Sequence, residues 1–409
     1  MKKFLSILIL SCLLLTSVFP MLADDRDDDN RYLNFSAYPL FQNFHYYVDE
    51  DNEVSIIKYA GNEKSVSVPD RIEGKPVVSI GKMAFAENET IESVNLPNGI
   101  EEIEEQAFLG CKRLKRISLP ESIEDIEEAA FAYCEALDDV KLPSRLDSID
   151  RGCFFSCASL RQIEIPENVE KIEEHAFQNC TSLSKVTFKG RSRLKEIEIG
   201  AFENCQKLAD LSLPEGLLEL EGGAFDSCSS LTRLRIPSSL YKMDGNPFYN
   251  GKIRLENLEN HRHFKLEGDF LLSRDGFLLV AYLSDEKQEQ LTTPSSVKTI
   301  GRGAFYLSQT ESIVANGVKE IKGGAFAYCP NLKAVYAPDV EIIDYYVFIG
   351  SPNVDEMMVP NSIKYMDDNA FPKDREVPFT LVGLGGEYAK SYAKRNGFSY
   401  RLQSSNEGK

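Results

Sequence analysis

The sequence predicts a strand-rich α/β solenoid built from rungs of about 23 residues. Phenylalanine recurs at an almost constant spacing, at Phe85, Phe108, Phe131, Phe154, Phe177, Phe202, Phe225 and Phe248. A fixed period in the twenties is typical of solenoids, in which each rung buries its apolar side chains against its neighbours. After an interruption, the series resumes at Phe305, Phe326, Phe348 and Phe371. The chain is therefore expected to contain two repeat arrays.

Each rung is expected to begin with a short strand. In the rung that ends at Cys134, Ile117 and Leu119 alternate with polar residues, which is typical of a half-buried strand. Pro120 ends this strand, because proline cannot donate to a sheet ladder. A second apolar pair and a turn follow, and an Ala-Phe dipeptide then opens a segment that we expect to be helical or irregular.

This pattern resembles the BspA-like leucine-rich repeat family. It reads Leu-x-x-Val-x-Leu-Pro-x-x-Leu-x-x-Ile at residues 137–149 and Ala-Phe-x-x-Cys at residues 176–180. Segments 72–81 and 389–398 are similar to the family's opening segment and terminal cap. The resemblance covers roughly residues 44–400. It implies a leucine-rich repeat array, and it identifies an architecture more closely than a biochemical role.

The parts outside the repeats set the remaining boundaries. We predict a signal peptide over 1–23, an acidic linker over 24–43, an N-terminal β cap over 44–80, the first array over 81–248, a β-hairpin insertion over 249–303, the second array over 304–375, and a C-terminal cap and tail over 376–409. A basic start, an apolar run and Ala23 are typical of secretory signals, and a lipidation signal at Cys12 is the disfavoured alternative. Asp275-Gly276 between apolar runs predicts the hairpin. The apolar face of residues 387–396 predicts a helix that Gly397 ends.

The formal net charge of -18 narrows the classes of partner. Nucleic acids and anionic membrane surfaces both attract basic faces, so neither is an expected partner. No segment after the signal is long and apolar enough to cross a membrane. A protein partner is expected, and we predict no metal, no cofactor and no catalytic residue.

Most of the cysteines occupy one position of the repeat. They lie three residues after a ladder phenylalanine, at Cys111, Cys134, Cys157, Cys180, Cys205, Cys228 and Cys329. Disulfides, metal binding and nucleophilic catalysis are the alternatives to a buried thiol that fills space. Other rungs carry Asn88, Gly251, Ser308 or Ser351 there, and Asp374 in the last unit is the exception, so a small buried residue is the favoured interpretation. We likewise favour free thiols at Cys153 and Cys157.

Three other features are candidates for chemistry. His261 and His263 form a pair that we expect to be solvated, with metal binding as the less favoured alternative. The glycines at 383–386 precede a helix, but they lack the Lys-Ser/Thr ending and the βαβ context of a phosphate loop. Acidic runs at 101–105, 124–128 and 170–174 are expected to align as a stripe, either a solvated edge or a footprint for a basic partner or divalent cations.

The outward positions of the first strand vary from rung to rung, unlike the core. They form the predicted protein-binding face, namely Arg116, Ser118, Asp139, Lys141, Gln162, Glu164, Lys185, Thr187, Asp210, Ser212, Arg233 and Arg235. The resemblance implies a secreted or cell-surface protein that binds an extracellular-matrix or cell-surface protein, as in adhesion. A periplasmic or envelope scaffold and an enzyme with its site in the 249–303 insertion remain as alternatives.

Overall fold

The structure is a computed structural model that describes residues 34–249, 253–373 and 379–403. The predicted signal peptide, Cys12 and the first half of the predicted acidic linker, residues 24–33, lie outside the described residues. The described chain is a strand-rich solenoid with a C-terminal helix at Glu387–Asn396, which confirms the predicted fold class. A single 3-10 turn at Phe35–Ala37 precedes the first strand among the described residues.

Each rung contributes to three faces, which we call the first-strand face, the second-strand face and the turn face. Parallel pairing of like strands from successive rungs builds the first two. The first-strand face consists of Ser65–Ser67, Ser93–Asn95, Arg116–Ser118, Gln162–Ile165, Lys185–Phe188, Asp210–Leu211, Arg233–Arg235, Arg254–Glu256, Leu291–Thr292, Ser312–Val314, Ala334–Tyr336, Glu356–Val359, Thr380–Gly383 and Ser399–Leu402.

The second-strand face begins in the N-terminal cap, where antiparallel strands cover the first rung. The cap strands are Leu40–Phe41, Phe44–Val48, Val54–Tyr59, Arg71–Ile72 and Lys75–Ile80. The face continues through Glu102–Ile103, Asp125–Ile126, Ser148–Ile149, Lys171–Ile172, Glu196–Ile197, Glu219–Glu221 and Lys242–Asp244. Beyond the hairpin it resumes with Thr299–Ile300, Glu320–Ile321, Ile342–Ile343 and Tyr365–Met366.

The turn face is irregular, and none of its described Ala-Phe segments is an α-helix. Its backbone hydrogen bonds alternate between the next rung and the same rung. Phe131 N–H donates to Cys153 of the next rung at 2.9 Å, whereas Ala132 N–H donates to Ala129 of its own rung at 3.0 Å. Ala129 and Tyr133 have left-handed φ values of 55° and 60°, which allow this alternation.

The ladder phenylalanines stack almost parallel along the core. Neighbouring rings in the first array are 4.8 to 6.2 Å apart between centroids, from Phe85 to Phe248. Phe305, Phe326 and Phe348 continue the stack at 5.3 and 5.5 Å. Stacked rings add to the apolar area that each rung buries, so the ladder ties the rungs together.

The predicted hairpin divides the core into two clusters. Its strands are Phe264–Glu267, Phe270–Ser273 and Leu278–Tyr282, paired antiparallel. Leu271 belongs to the cluster of the first array and Leu272 to that of the second, because alternate residues of a strand point to opposite sides. The turn face continues past the hairpin, since Asn246 N–H donates to Arg302 of the second array at 3.1 Å.

Candidate protein-binding surface

The structure places the predicted binding residues on the outer side of the first-strand face. Eleven of the twelve are exposed and Thr187 is half-buried, because the intervening residues, such as Ile117 and Leu234, point into the core. The register aligns Arg116 with Asp139. It also aligns Gln162, Lys185 and Asp210 in one row. The face is thus a rigid row of polar side chains whose identities change from rung to rung.

A groove interrupts this face at the one rung of the first array that is two residues longer than its neighbours. The extra residues form a loop at 189–193 between the half-buried Phe188 and the buried Leu194. Three backbone N–H groups of the loop donate hydrogen bonds to the preceding rung, and two of these bonds are donated to Glu167. The groove has a volume of about 680 Å³ and is lined by Lys185, Val186, Thr187, Phe188, Gly190, Arg191, Ser192, Asp210, Ser212, Pro214 and Glu215.

Charged pairs neutralise much of the groove wall. Lys185 Nζ lies 3.1 Å from an Asp210 oxygen, and Arg235 lies 3.7 Å from Glu215. Arg233 and Arg254 differ, because they face each other in register and neither has a salt bridge to any described carboxylate. Like charges directly opposite on neighbouring strands repel, so this arrangement costs stability.

Arg254 was missed by the sequence-based prediction of the face. It lies in the predicted 249–303 insertion, yet the structure pairs Arg254–Glu256 with Arg233–Arg235 as one further rung of the same face. The signal was present in the alternation Arg-Leu-Glu, which repeats the pattern Arg-Leu-Arg of the preceding rung. Arg191 was missed too, and the 25-residue spacing between Phe177 and Phe202 marks its loop.

The eight cysteines of the described residues are free and buried, and each repeat-position thiol has a specific partner. The Sγ–H of Cys180 donates to the carbonyl of Phe154 in the preceding rung at 3.2 Å, and the same contact recurs down the array. Burial raises the pKa of Cys180 to about 12, so the thiolate needed for nucleophilic attack or metal binding is disfavoured. A small donor can therefore satisfy a carbonyl of the preceding rung from this position, and Ser351 donates to Phe326 in the same way at 2.7 Å.

The acidic stripe has a structural role that the sequence did not reveal. Carboxylates four residues before a ladder phenylalanine accept hydrogen bonds from backbone N–H groups of the preceding rung. Glu127 accepts from Glu105 at 2.7 Å and Glu198 from Glu174 at 3.2 Å. Several stripe carboxylates are thus acceptors for turn-face amides as well as solvated groups.

One part of the stripe brings three carboxylates together. Oxygens of Glu102, Asp125 and Glu127 lie within 4.8 Å of one another. Burial and the neighbouring negative charges raise the pKa of Glu102 to about 7. Burial likewise raises the pKa of Asp150, farther along the stripe, to about 6. Further along, Lys171 contacts both Glu196 and Glu198 and compensates the charge there.

The family is shown by the repeat itself. The sequence model described as a BspA type leucine rich repeat region (6 copies) matches residues 62–183, 147–265 and 281–377. The chain belongs to the BspA-type leucine-rich repeat family. This family is a repeat-protein scaffold rather than a known enzyme class. Comparison with curated proteins gives no match.

Solved structures agree with this assignment of the fold. A leucine rich cell surface protein from Faecalibacterium prausnitzii is 22% identical over 90% of this chain and 95% of its own, with a TM-score of 0.58. A leucine-rich repeat protein from Bacteroides ovatus is 20% identical over 90% of this chain and 100% of its own, with a TM-score of 0.50. The leucine rich repeat protein of T. pallidum is 32% identical over 47% of this chain and 90% of its own, with a TM-score of 0.44. The first two likenesses show the shared solenoid fold alone.

The expectation of a solvated histidine pair in this BspA-type chain is wrong for His261. His261 is buried, and its Nε2 lies 2.9 Å from the carbonyl of Pro237, to which it donates. Its Nδ1 accepts from the backbone N–H groups of His263 and Phe264 at 3.3 and 3.2 Å. Because both ring nitrogens are engaged, His261 positions the chain that enters the hairpin. His263 is exposed, as expected.

The glycines at 383–386 do lie in a βαβ unit, contrary to the sequence interpretation. Thr380–Gly383 and Ser399–Leu402 pair in parallel on either side of the helix. Tyr392 of that helix is buried and covers the last ladder phenylalanine, Phe371, in an edge-to-face contact at 6.1 Å. The unit therefore closes the open end of the BspA-type solenoid. No helix of the described residues is long and apolar enough to span a membrane.

Proposed function

We propose that this BspA-type chain is an exported scaffold that binds another protein at a cell surface, and that the first-strand face of its first array makes the contact. One observation carries this proposal. The core side chains are uniform from rung to rung, whereas the exposed row is polar, varied and held at fixed spacing by parallel pairing. A rigid row of this kind gives a partner many fixed contact points at little entropic cost.

Two further observations support the same face. The groove of about 680 Å³ is of the size of pockets that hold ligands or side chains, and it opens on this row. The Faecalibacterium prausnitzii neighbour is described as a cell surface protein, which makes surface exposure a reasonable expectation for this chain as well. Adhesion to a host or neighbouring cell is the specific role that we propose.

Capture of a partner tests the proposed face. The chain from residue 24 onward is immobilised and offered solubilised surface and extracellular-matrix proteins. Substituting Arg233→Ala and Arg235→Ala together should reduce capture of any partner at least tenfold. Lys390→Ala with Lys394→Ala removes the same charge from the exposed side of the helix and should leave capture within twofold of the unmodified chain. Equal capture by both variants would place the contact elsewhere.

Protease treatment of intact cells tests the location separately. A surface-exposed chain is degraded by added protease, because the enzyme reaches it without breaking the cell. A chain that is protected on intact cells and degraded only after the envelope is opened would instead be the periplasmic or envelope scaffold.

A further inference from the structure

The segment around the groove loop is positively charged, although the chain as a whole is negatively charged. Residues 185–195 contain five cationic side chains and no carboxylate, in a chain with a formal net charge of -18. Lys185, Arg193 and Lys195 have salt bridges to neighbouring rungs. Lys189 and Arg191 are exposed and have no salt bridge to any described carboxylate. Two cations at the rim of the groove are therefore available to an outside group.

Arg233 and Arg254 extend this charge along the same face. They stack in register on neighbouring strands, and both are exposed. Such a pair repels itself in the free protein, and an anion between the two guanidinium groups removes that repulsion. The rungs of Lys185 and Arg254 are three strand spacings apart, or about 15 Å, which an extended segment of about five residues spans.

The lining of the groove distinguishes between kinds of anion. Phe188 and Pro214 are half-buried and supply an apolar wall, while Asp210 and Glu215 also line the groove. A uniformly anionic polymer meets those two carboxylates unfavourably and has no group for the apolar wall. A peptide that carries both acidic and apolar side chains fits each part of the surface.

We infer that the groove beside the 189–193 loop, together with Arg233 and Arg254, binds an extended acidic segment of the partner protein. One carboxylate of the segment pairs with Arg191 and another with the two stacked arginines, while an apolar side chain lies against Phe188. This inference rests on the proposed function, because it names the class of partner for the same face.

Binding of a labelled peptide tests the inference on the chain from residue 24 onward. The probe is a fluorescein-labelled peptide of sequence EEFEEFEE, with QQFQQFQQ as its uncharged match, and fluorescence anisotropy reports the Kd. The acidic peptide should bind at least tenfold more tightly than its match, and its binding should weaken as NaCl rises from 50 to 300 mM. Arg233→Gln with Arg254→Gln, and separately Lys189→Gln with Arg191→Gln, should each weaken binding at least tenfold.

Three controls make the result specific. Lys390→Gln with Lys394→Gln carries the same change of charge and should bind within twofold of the unmodified chain. The Arg233→Gln, Arg254→Gln chain should melt at the same temperature as the unmodified chain or higher, because the substitution removes a repulsion. Arg233→Lys with Arg254→Lys keeps the charge but loses the bidentate fork, and it should show an intermediate loss.

Several outcomes overturn the inference. Equal binding of the acidic and uncharged peptides is one, and an equal loss in the Lys390, Lys394 control is another. A heparin fragment that binds more tightly than the acidic peptide would assign the surface to sulfated glycans instead. If a captured partner needs Arg233 and Arg235 but is neither displaced by EEFEEFEE nor affected at Lys189 and Arg191, the proposed function stands and this inference fails.

Discussion

The two arrays differ at the buried position three residues after each ladder phenylalanine, which we call the slot. Six rungs of the first array carry cysteine in the slot, whereas the second array carries Ser308, Cys329 and Ser351. The exposed residues differ more. The turn face of the second array carries Tyr306 and Tyr328, which are half-buried, and Tyr345 and Tyr346, which are exposed, whereas the first array carries Tyr133 and otherwise mostly small, polar or acidic residues there. Both arrays nevertheless keep the same stacked phenylalanines. The buried ladder is therefore what builds a rung, and the surface is free to differ.

The two arrays also differ in how the acidic side chains of the second-strand face are compensated by cations. On the second-strand face of the first array, Glu102, Asp125 and Glu127 lie close together, and none of the three has a salt bridge to a described cation. At the matching place in the second array, Lys322 lies 2.6 Å from Glu320 and 4.0 Å from Asp344. At this place the first array therefore carries an electrostatic repulsion that the matching place in the second array compensates, and the two arrays should respond differently to a change of pH.

The largest expected effect separates the cores of the two arrays. Phe177 and Phe326 are both fully buried, so replacing either with Ala should destabilise its own array by about 3–5 kcal/mol. Because the hairpin divides the core clusters, Phe177→Ala should speed alkylation of Cys180 and leave Cys329 protected, and Phe326→Ala should do the reverse. Pulsed alkylation with mass spectrometry measures both rates.

Phe277→Ala is the matched control, since this ring is 53% exposed and its loss should change neither rate. If either core substitution speeds alkylation of Cys180 and Cys329 equally, the arrays unfold as one unit. The hairpin would then be a continuous part of the core rather than a partition.

Two neighbouring residues of one hairpin strand are expected to stabilise different arrays. Leu271 and Leu272 are both fully buried, but they belong to different core clusters. Leu271→Ala should expose the first array and Leu272→Ala the second, each with a loss of about 2–5 kcal/mol. Amide hydrogen exchange resolved by peptide measures which rungs lose protection, and Leu266→Ala, at an exposed position of the same hairpin, should alter neither. Loss of protection in the same rungs for both variants would contradict the partition.

A smaller effect comes from pH and should be confined to the first array. The pKa of Glu102 is about 7 and that of Asp150 about 6, above the ordinary values of about 4 for carboxyl groups. Between pH 8 and pH 5 the folded chain therefore takes up protons that the unfolded chain does not, so the free energy of unfolding rises as pH falls. Both groups are partly exposed and screened by solvent, so we expect a gain of roughly 1 kcal/mol rather than more.

Chemical denaturation at pH 5 and pH 8 measures this gain, and alkylation of Cys180 and Cys329 assigns it to an array. Glu102→Gln should reduce the pH dependence, because an amide does not ionise. Lys322 already pairs with Glu320 in the second array, so protection of Cys329 should change less with pH. A Glu102→Gln chain whose pH dependence equals that of the unmodified chain would show that Glu102 takes up no proton in this range.

The features that the sequence predicted are those that burial alone determines. The spacing of Phe85 to Phe248 predicted the rungs, and the alternation at Ile117 and Leu119 predicted the strand that faces the core. Asp275-Gly276 predicted the hairpin for a local reason, since this dipeptide favours the turn. In each case the information lies in the sequence itself, as a spacing, an alternation or a turn dipeptide, so no knowledge of the contacts between rungs is needed.

The features that the sequence did not predict depend on contacts between rungs. Ala129 and Tyr133 adopt left-handed φ values although their types do not favour them, because their N–H groups donate to the next rung. Tyr282 takes the place of a ladder ring between the arrays, 5.6 Å from Phe305, although it comes from the hairpin. His261 and Arg254 likewise gained their roles from partners in other rungs. Such roles follow from register, which composition and spacing do not reveal.

The smallest expected effect concerns the slot, the buried position three residues after each ladder phenylalanine. Cys180 and Ser351 both donate to a phenylalanine carbonyl of the preceding rung, so Cys180→Ser should keep that hydrogen bond and cost less than about 1 kcal/mol. The reverse exchange is not equivalent, because the Ser351 hydroxyl also accepts from the N–H of Cys329 at 2.9 Å. Sulfur is a weak acceptor, so Ser351→Cys should cost more than Cys180→Ser, by about 1 kcal/mol.

Denaturation of the two variants and the unmodified chain in one buffer measures this difference, with Cys180→Ala as the variant that lacks a donor. If Ser351→Cys is the milder of the two exchanges, the hydroxyl is not an acceptor for Cys329 and the slot selects for size alone. The expected order instead makes both Cys180 and Ser351 donors to the preceding rung, with the hydroxyl of Ser351 serving in addition as the stronger acceptor for the N–H of Cys329. That would explain why a thiol suffices through the first array while Ser351 holds its place beside Cys329.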